Sequence, residues 1–133
     1  MLRYMLDTNI CIVTIRNRPD VARAAFKRHH TQMCIDSVTV MELMYAVEMS
    51  AQPERNLAAV EGFVARLEVL DYDSAAAAHT AQIRVELQKA GRQIGPYDQM
   101  IAGHARSRGL VVVTNNTREF KRVPGLMVEN WLS

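Results

Sequence analysis

The chain is poor in the features that announce several common protein classes. It has two cysteines, Cys11 and Cys34, in 133 residues. Neither belongs to a CxxC or a Cys/His cluster, and both lie beside predicted strands, so free buried thiols are expected rather than a disulfide or a zinc site. No apolar run approaches the roughly 18 residues needed to span a bilayer, and the opening MLRYMLD is too short and interrupted for a secretory signal. The expected address is the cytoplasm, with no membrane partner. Gly-rich phosphate loops of the GxGxxG or GxxxxGK[ST] form are missing, which argues against a nucleotide-binding module. A DxD after the first strand is also missing, which argues against a phospho-receiver or phosphatase. Internal repeats, low-complexity segments and linkers are absent. The net charge of +2 is too small by itself to mark a nucleic-acid binder.

What is present fits one compact domain spanning residues 1–133, with 49% hydrophobic and 23% charged residues. Short apolar runs predict strands at Arg3–Leu6, Met33–Ile35, Leu67–Leu70, Leu110–Val113 and near Leu126–Val128. Helical patterns cover Pro19–His30, Val38–Met49, Pro53–Arg66, Ser74–Ala90 and Tyr97–Arg108, with Gly91 and Gly109 as stop signals. Strands alternating with helices, without NG hairpin turns, predict an α/β fold: a central parallel sheet covered on both faces. The helix in SVTVMELMYAVEMS has almost no polar face, so it is expected either to be buried all round or to meet a partner, such as a second copy of the chain.

Four acids occupy telling places. Asp7 follows the first strand, Glu42 sits one turn into the helix after the second, Asp98 opens the helix in GPYDQMIAGHA, and Glu119 lies just beyond LVVV. Each has a structural explanation. Asp7 and Asp98 could be helix N-caps, and Thr39 with Glu42 and Asn116 with Glu119 fit capping-box spacing. Their joint placement points elsewhere, because in an open parallel sheet the strand carboxyl ends and the following helix starts share the edge where ligands bind. Carboxylates about 4 Å apart repel by roughly 4 kcal/mol per pair at an effective dielectric near 20, so such a cluster requires a cation or raised pKa values. An all-oxygen set selects Mg²⁺ or Mn²⁺ over zinc, and magnesium on carboxylates suits phosphodiester hydrolysis. Thr8, Asn9, Ser37 and Thr114 flank the acids and could orient them or serve as turn residues.

The segments MLDTNI, SVTVMEL, PYDQMIAGHA and VTNNTREF, in that order and spacing, resemble the PIN-domain ribonucleases, and most closely the VapC toxins of bacterial type II toxin–antitoxin pairs. The resemblance covers essentially the whole chain. It implies a three-layer α/β/α PIN-like domain that cuts RNA with Mg²⁺, or Mn²⁺ in its place. It also implies a VapB-type antitoxin whose tail wraps the toxin and reaches the active site, a homodimer within a toxin–antitoxin hetero-oligomer, and operator DNA reached only through the antitoxin. Asp7, Glu42 and Asp98 match the family's three metal-holding acids, and Glu119 matches the last acid of the fourth motif. Many relatives have aspartate where this chain has Asn116, which puts Asn116 beside the site as a neutral neighbour. Relatives with segments like IGPYDQMIAGHARSRGL include toxins that cleave initiator tRNA in the anticodon loop, so that RNA is the expected substrate.

If the four acids gather around metal, 16 basic side chains face the ten acidic ones that remain, a balance of +6 that attracts a polyanion. Three basic clusters are available for phosphate contacts: Arg23, Lys27, Arg28, His29 and His30; Arg84, Lys89 and Arg92; and Arg118, Lys121 and Arg122. His79 and His104 lack the spacing of a metal pair and read as structural. The alternative from another class is a non-catalytic RNA- or protein-binding module that retains the same fold.

Overall fold

The computed structural model describes residues 1–17 and 19–132. Five strands form one parallel sheet in the order β3-β2-β1-β4-β5: β1 (Tyr4–Leu6), β2 (Met33–Asp36), β3 (Glu68–Leu70), β4 (Val111–Val113) and β5 (Met127–Glu129). Tyr4 pairs with both Met33 and Val111, which places β1 at the centre. The central strands are buried throughout, as the near-continuous apolar runs of a parallel sheet require, while the edge strands β3 and β5 are half exposed.

Alternation along the strands feeds two cores. Tyr4, Leu6, Met33, Ile35, Val111 and Val113 face one layer, which holds α1 (Thr8–Asn17), α2 (Asp20–Arg28), α3 (Ser37–Glu48) and α4 (Pro53–Val64). Met5, Cys34 and Val112 face the other, which holds α5 (Ser74–Lys89), α6 (Pro96–Arg108) and α7 (Thr117–Phe120). The three-layer α/β/α arrangement is as expected, and each predicted strand and helix is found within a few residues of its expected bounds.

Two helices were not expected. In α1, six of the ten residues TNICIVTIRN are β-branched, which lowers helix propensity. The segment is helical because Ile10 and Cys11 are buried against the sheet, and this packing overrides the local preference. The single turn α7 was too short for a periodic signal.

The apolar helix α3 is not buried all round. Val38, Thr39, Leu43 and Val47 face the core, while Met41, Tyr45 and Met49, four residues apart, form an exposed stripe, with Tyr45 at 64% and Met49 at 70% of full exposure. Capping also differs from the sequence expectation. The N-cap of α3 is Asp36, whose Oδ1 accepts from Val38 N–H at 2.8 Å, in place of Thr39. Helix α6 starts at Pro96 with Gly95 as its N-cap, so Asp98 lies inside the first turn and is not the cap. Asn116 is the N-cap residue of α7, but its side chain makes no capping bond.

Candidate active site

The carboxyl ends of β1, β2 and β4 open onto one edge of the sheet. Asp7 follows β1 directly and is almost completely buried, at 1% exposure. Its Oδ1 accepts from Ile10 N–H at 2.8 Å, so it does cap α1, as its structural explanation anticipated. The other oxygen is held from across the sheet, where Thr114, just beyond β4, donates its hydroxyl to Asp7 Oδ2 at 2.5 Å. Both bonds favour the ionised form, yet burial, aided by the Glu42 charge, prevails and pushes the Asp7 carboxyl up to about 6.

Glu42 reaches the same place from α3. Its Oε1 accepts from Thr8 Oγ1 at 2.6 Å, and Thr8 also contacts Thr39 Oγ1 at 3.3 Å. Residues 7, 8, 42 and 114, drawn from three strand-to-helix junctions, are thereby tied into one constellation.

Asp98, in the first turn of α6, completes the gathering by charge. Burial, together with repulsion from Asp7, Glu42 and Glu119, raises its carboxyl to about 7. All three other acids therefore lie within Coulombic reach of Asp98. They are neighbours in charge rather than in contact: among the described residues, no three Asp, Glu, His or Cys side chains stand close enough to share one ion as they lie. The donors available are carboxylate oxygens, the chemistry that suits a hard divalent cation, and their mutual repulsion is what such a cation relieves.

The flanking residues divide. Thr8 and Thr114 hold the acids, the orienting role of the two left open for them. Asn116 adjoins them through its backbone N–H, which donates to Thr114 Oγ1 at 2.8 Å. Asn9 is exposed on the first turn of α1. Ser37 is directed elsewhere: its hydroxyl lies 3.4 Å from Asp36 Oδ1 and accepts from Tyr72 N–H at 3.0 Å, which ties the start of α3 to the chain leaving β3.

Sequence reasoning missed Asp36. It is fully buried, and its Oδ2 stands 2.7 Å from Nδ1 of the equally buried His104. The signal was available, because CID at the end of β2 repeats the pattern of MLD at the end of β1. The structural reading of the histidines holds for His79, whose Nδ1 accepts from Arg106 Nε at 3.0 Å. Cys11 and Cys34 are free and buried, and burial pushes both thiols up, Cys34 to about 12, which leaves them unreactive.

The basic clusters also divide. Arg118 and Lys121 are exposed beside Glu119, whereas Arg122 donates to Gln93 O at 3.1 Å. Arg23 and Lys27 belong to a different feature, a groove of about 590 Å³ between α1, α2 and α4 with Ile15, Phe26 and Phe63 as its apolar floor. Arg66 and His30 add positive or ionisable groups to its rim. Met33 and Leu67 also line it, which sets the groove toward the amino ends of β2 and β3, away from the acids.

Comparison with known proteins places this architecture. Residues 4–126 match the PIN domain family. The chain is 65% identical over 131 residues to the tRNA(fMet)-specific endonuclease VapC of Shigella flexneri, covering 98% of this chain and 99% of the relative. Two crystal structures superpose closely. One is DNA-bound VapBC from Salmonella typhimurium, with a TM-score of 0.96, 63% identity, and 98% of this chain and 99% of that one covered. The other is VapBC2 from Rickettsia felis bound to a promoter DNA fragment, with a TM-score of 0.94, 36% identity and the same coverage.

Proposed function

The chain belongs to the PIN-domain family and, within it, to the VapC proteins, and from that premise we propose that it is the toxin of a type II toxin–antitoxin pair, an endoribonuclease acting as a single domain over residues 1–133. The observation that carries this reading is the placement of the acids at the ligand-binding edge of a parallel sheet, with Asp7 and Glu42 tied through Thr114 and Thr8 and with Asp98 raised by burial and by the charges of the other three.

In this reading Asp7, Glu42 and Asp98 hold a divalent cation, Mg²⁺ with Mn²⁺ able to substitute, and Glu119 supports the set with Asn116 as its neutral neighbour. The cation, when bound, offsets the repulsion among the acids, polarises the scissile phosphate and lowers the pKa of the attacking water. The protein does the rest by orientation. Thr114 fixes one oxygen of Asp7 and the Ile10 N–H fixes the other, while Thr8 anchors Glu42 Oε1. Asp98, near 7, gives up its proton as a cation enters, so binding strengthens with rising pH.

The 65% identity to a tRNA(fMet)-specific endonuclease over nearly the full length supports initiator tRNA as the substrate, cut in the anticodon loop. Arg118 and Lys121 are placed to contact its phosphates. A VapB-type antitoxin is the proposed partner, seated in the groove between α1, α2 and α4, whose apolar floor and basic rim fit an acidic amphipathic segment. The Met41–Tyr45–Met49 stripe is the proposed contact for a second copy, operator DNA is reached through the antitoxin, and the assembly acts in the cytoplasm. No described helix is long and apolar enough to cross a membrane.

The test is incubation of purified protein with total tRNA, with Mg²⁺ or with chelator, and end sequencing of the products. Cleavage of initiator tRNA that requires Mg²⁺ is expected. Intact tRNA under all conditions would leave only a binding module.

A further inference from the structure

One buried ionisable pair has no part in the chemistry above. Asp36 ends β2 and His104 lies within α6, both fully buried, with His104 Nδ1 2.7 Å from Asp36 Oδ2. A carboxylate only accepts, so Nδ1 carries the proton and donates it. His104 Nε2 has no hydrogen-bond partner among the described residues, and the ring meets the edge of Tyr72 with centroids 5.9 Å apart.

Capping does not account for Asp36. Its Oδ1 alone takes the Val38 N–H, a task that a serine performs with a single oxygen. Space-filling does not account for His104 either, since an apolar side chain would occupy the position without desolvating polar groups. What the pair adds is direction: a short charge-assisted bond between two rigid elements tolerates little sliding or rolling.

The elements it joins are the ones that carry the acids. Helix α3 is capped by Asp36 and bears Glu42, while α6 bears Asp98 six residues before His104, about 9 Å along the axis. On the adjacent residue, Gly103 abuts α5 so closely that a Cβ there would stand 2.7 Å from Thr80 N and 2.9 Å from Thr80 Cα. Helix α6 is therefore located at consecutive residues against two neighbours, α5 through Gly103 and the β2–α3 junction through His104.

We propose that Asp36 and His104 are positioning residues that fix the roll of α6 against α3, and so set where Asp98 stands relative to Glu42 and Asp7. This rests on the reading of those acids as the metal-holding set. The test is calorimetric titration with Mn²⁺ and steady-state tRNA cleavage, each well below the variant's Tm. His104→Leu is expected to weaken Mn²⁺ binding about tenfold and to lower kcat with KM for tRNA unchanged. His104→Asn, whose amide can donate from the place of Nδ1, should retain most of both. Asp36→Ser keeps the cap on Val38 but loses the oxygen facing His104, and should behave like His104→Leu.

The proposal is overturned if either folded variant binds Mn²⁺ and turns over like the parent with only its Tm lowered, or if His104→Asn is as impaired as His104→Leu. Failure of both His104→Leu and Asp36→Ser to fold also counts against it, since the pair would then be a folding determinant. A parent protein that neither binds Mn²⁺ nor cuts tRNA would instead defeat the underlying metal reading, and the positioning role with it.

Discussion

Asp7 and Asp98 bear the same electrostatic burden with different local support. Asp7 has two donors, from Ile10 and Thr114, and is still raised to about 6. Asp98, with three acids around it, is raised to about 7. A folded-state value above the ordinary 3.8 means that the native protein binds more protons than the unfolded chain between about pH 4 and 7. Stability of the metal-free protein is therefore highest at the acid end of that window, falls as pH rises through it and levels off above. Thermal melts in chelator at pH 5 and pH 8 should show the lower Tm at pH 8. Asp98→Asn should shrink that difference, and an unchanged difference would remove Asp98 from the cluster. For activity the expectation runs the other way: Asp7→Asn and Asp98→Asn should each lower kcat by at least about two orders of magnitude, measured on tRNA at saturating Mg²⁺. Asp7 and Thr114 were legible from sequence because each follows an apolar strand, Glu42 because it lies in an apolar helix, and Asp98 because it stands at a helix start. For Ser37 the sequence left orienting and turn roles both open, because adjacency does not say which way a hydroxyl turns, and Asp36 was overlooked because its histidine partner lies 68 residues away.

The helices show where local reading succeeds and where tertiary packing replaces it. Helix α4 begins at Pro53 and α6 ends at Gly109 with φ 65°, and both signals stand plainly in the sequence. Helix α1 carries only the Asp7 cap as a local signal and owes its form to buried Ile10 and Cys11. The contact between α5 and α6 was also illegible, since a glycine inside a helix does not name the residue it approaches. Gly103 permits that approach, and the obstruction facing an added methyl is backbone as well as the Thr80 hydroxyl. Gly103→Ala gains helix propensity, worth up to about 1 kcal/mol. Overpacking against backbone costs about 1–3 kcal/mol and should prevail. Urea unfolding should show a net loss of stability, and a gain would mean that α5 and α6 can separate without penalty.

At the scale of the whole molecule, the sheet divides two tasks between its two ends. The acids lie beyond the carboxyl ends of β1, β2 and β4, and the basic-rimmed groove lies toward the amino ends of β2 and β3. The net charge of +2 hides this separation, which is why composition gave only a weak indication of what the surface meets. If the groove seats an acidic antitoxin segment, its rim can be altered without touching the chemistry. Lys27 and Arg66 are both exposed and distant in the fold from Asp7. Lys27→Glu combined with Arg66→Glu reverses two charges on the rim and should weaken antitoxin binding by at least about tenfold. Cleavage by the free toxin should stay near the parent rate, apart from any steeper salt dependence if the rim also helps gather RNA. Titration of antitoxin into a cleavage reaction measures both quantities at once. Inhibition as tight as that of the parent would place the antitoxin elsewhere, whereas a loss of basal cleavage would show that the groove and the acids serve the same ligand.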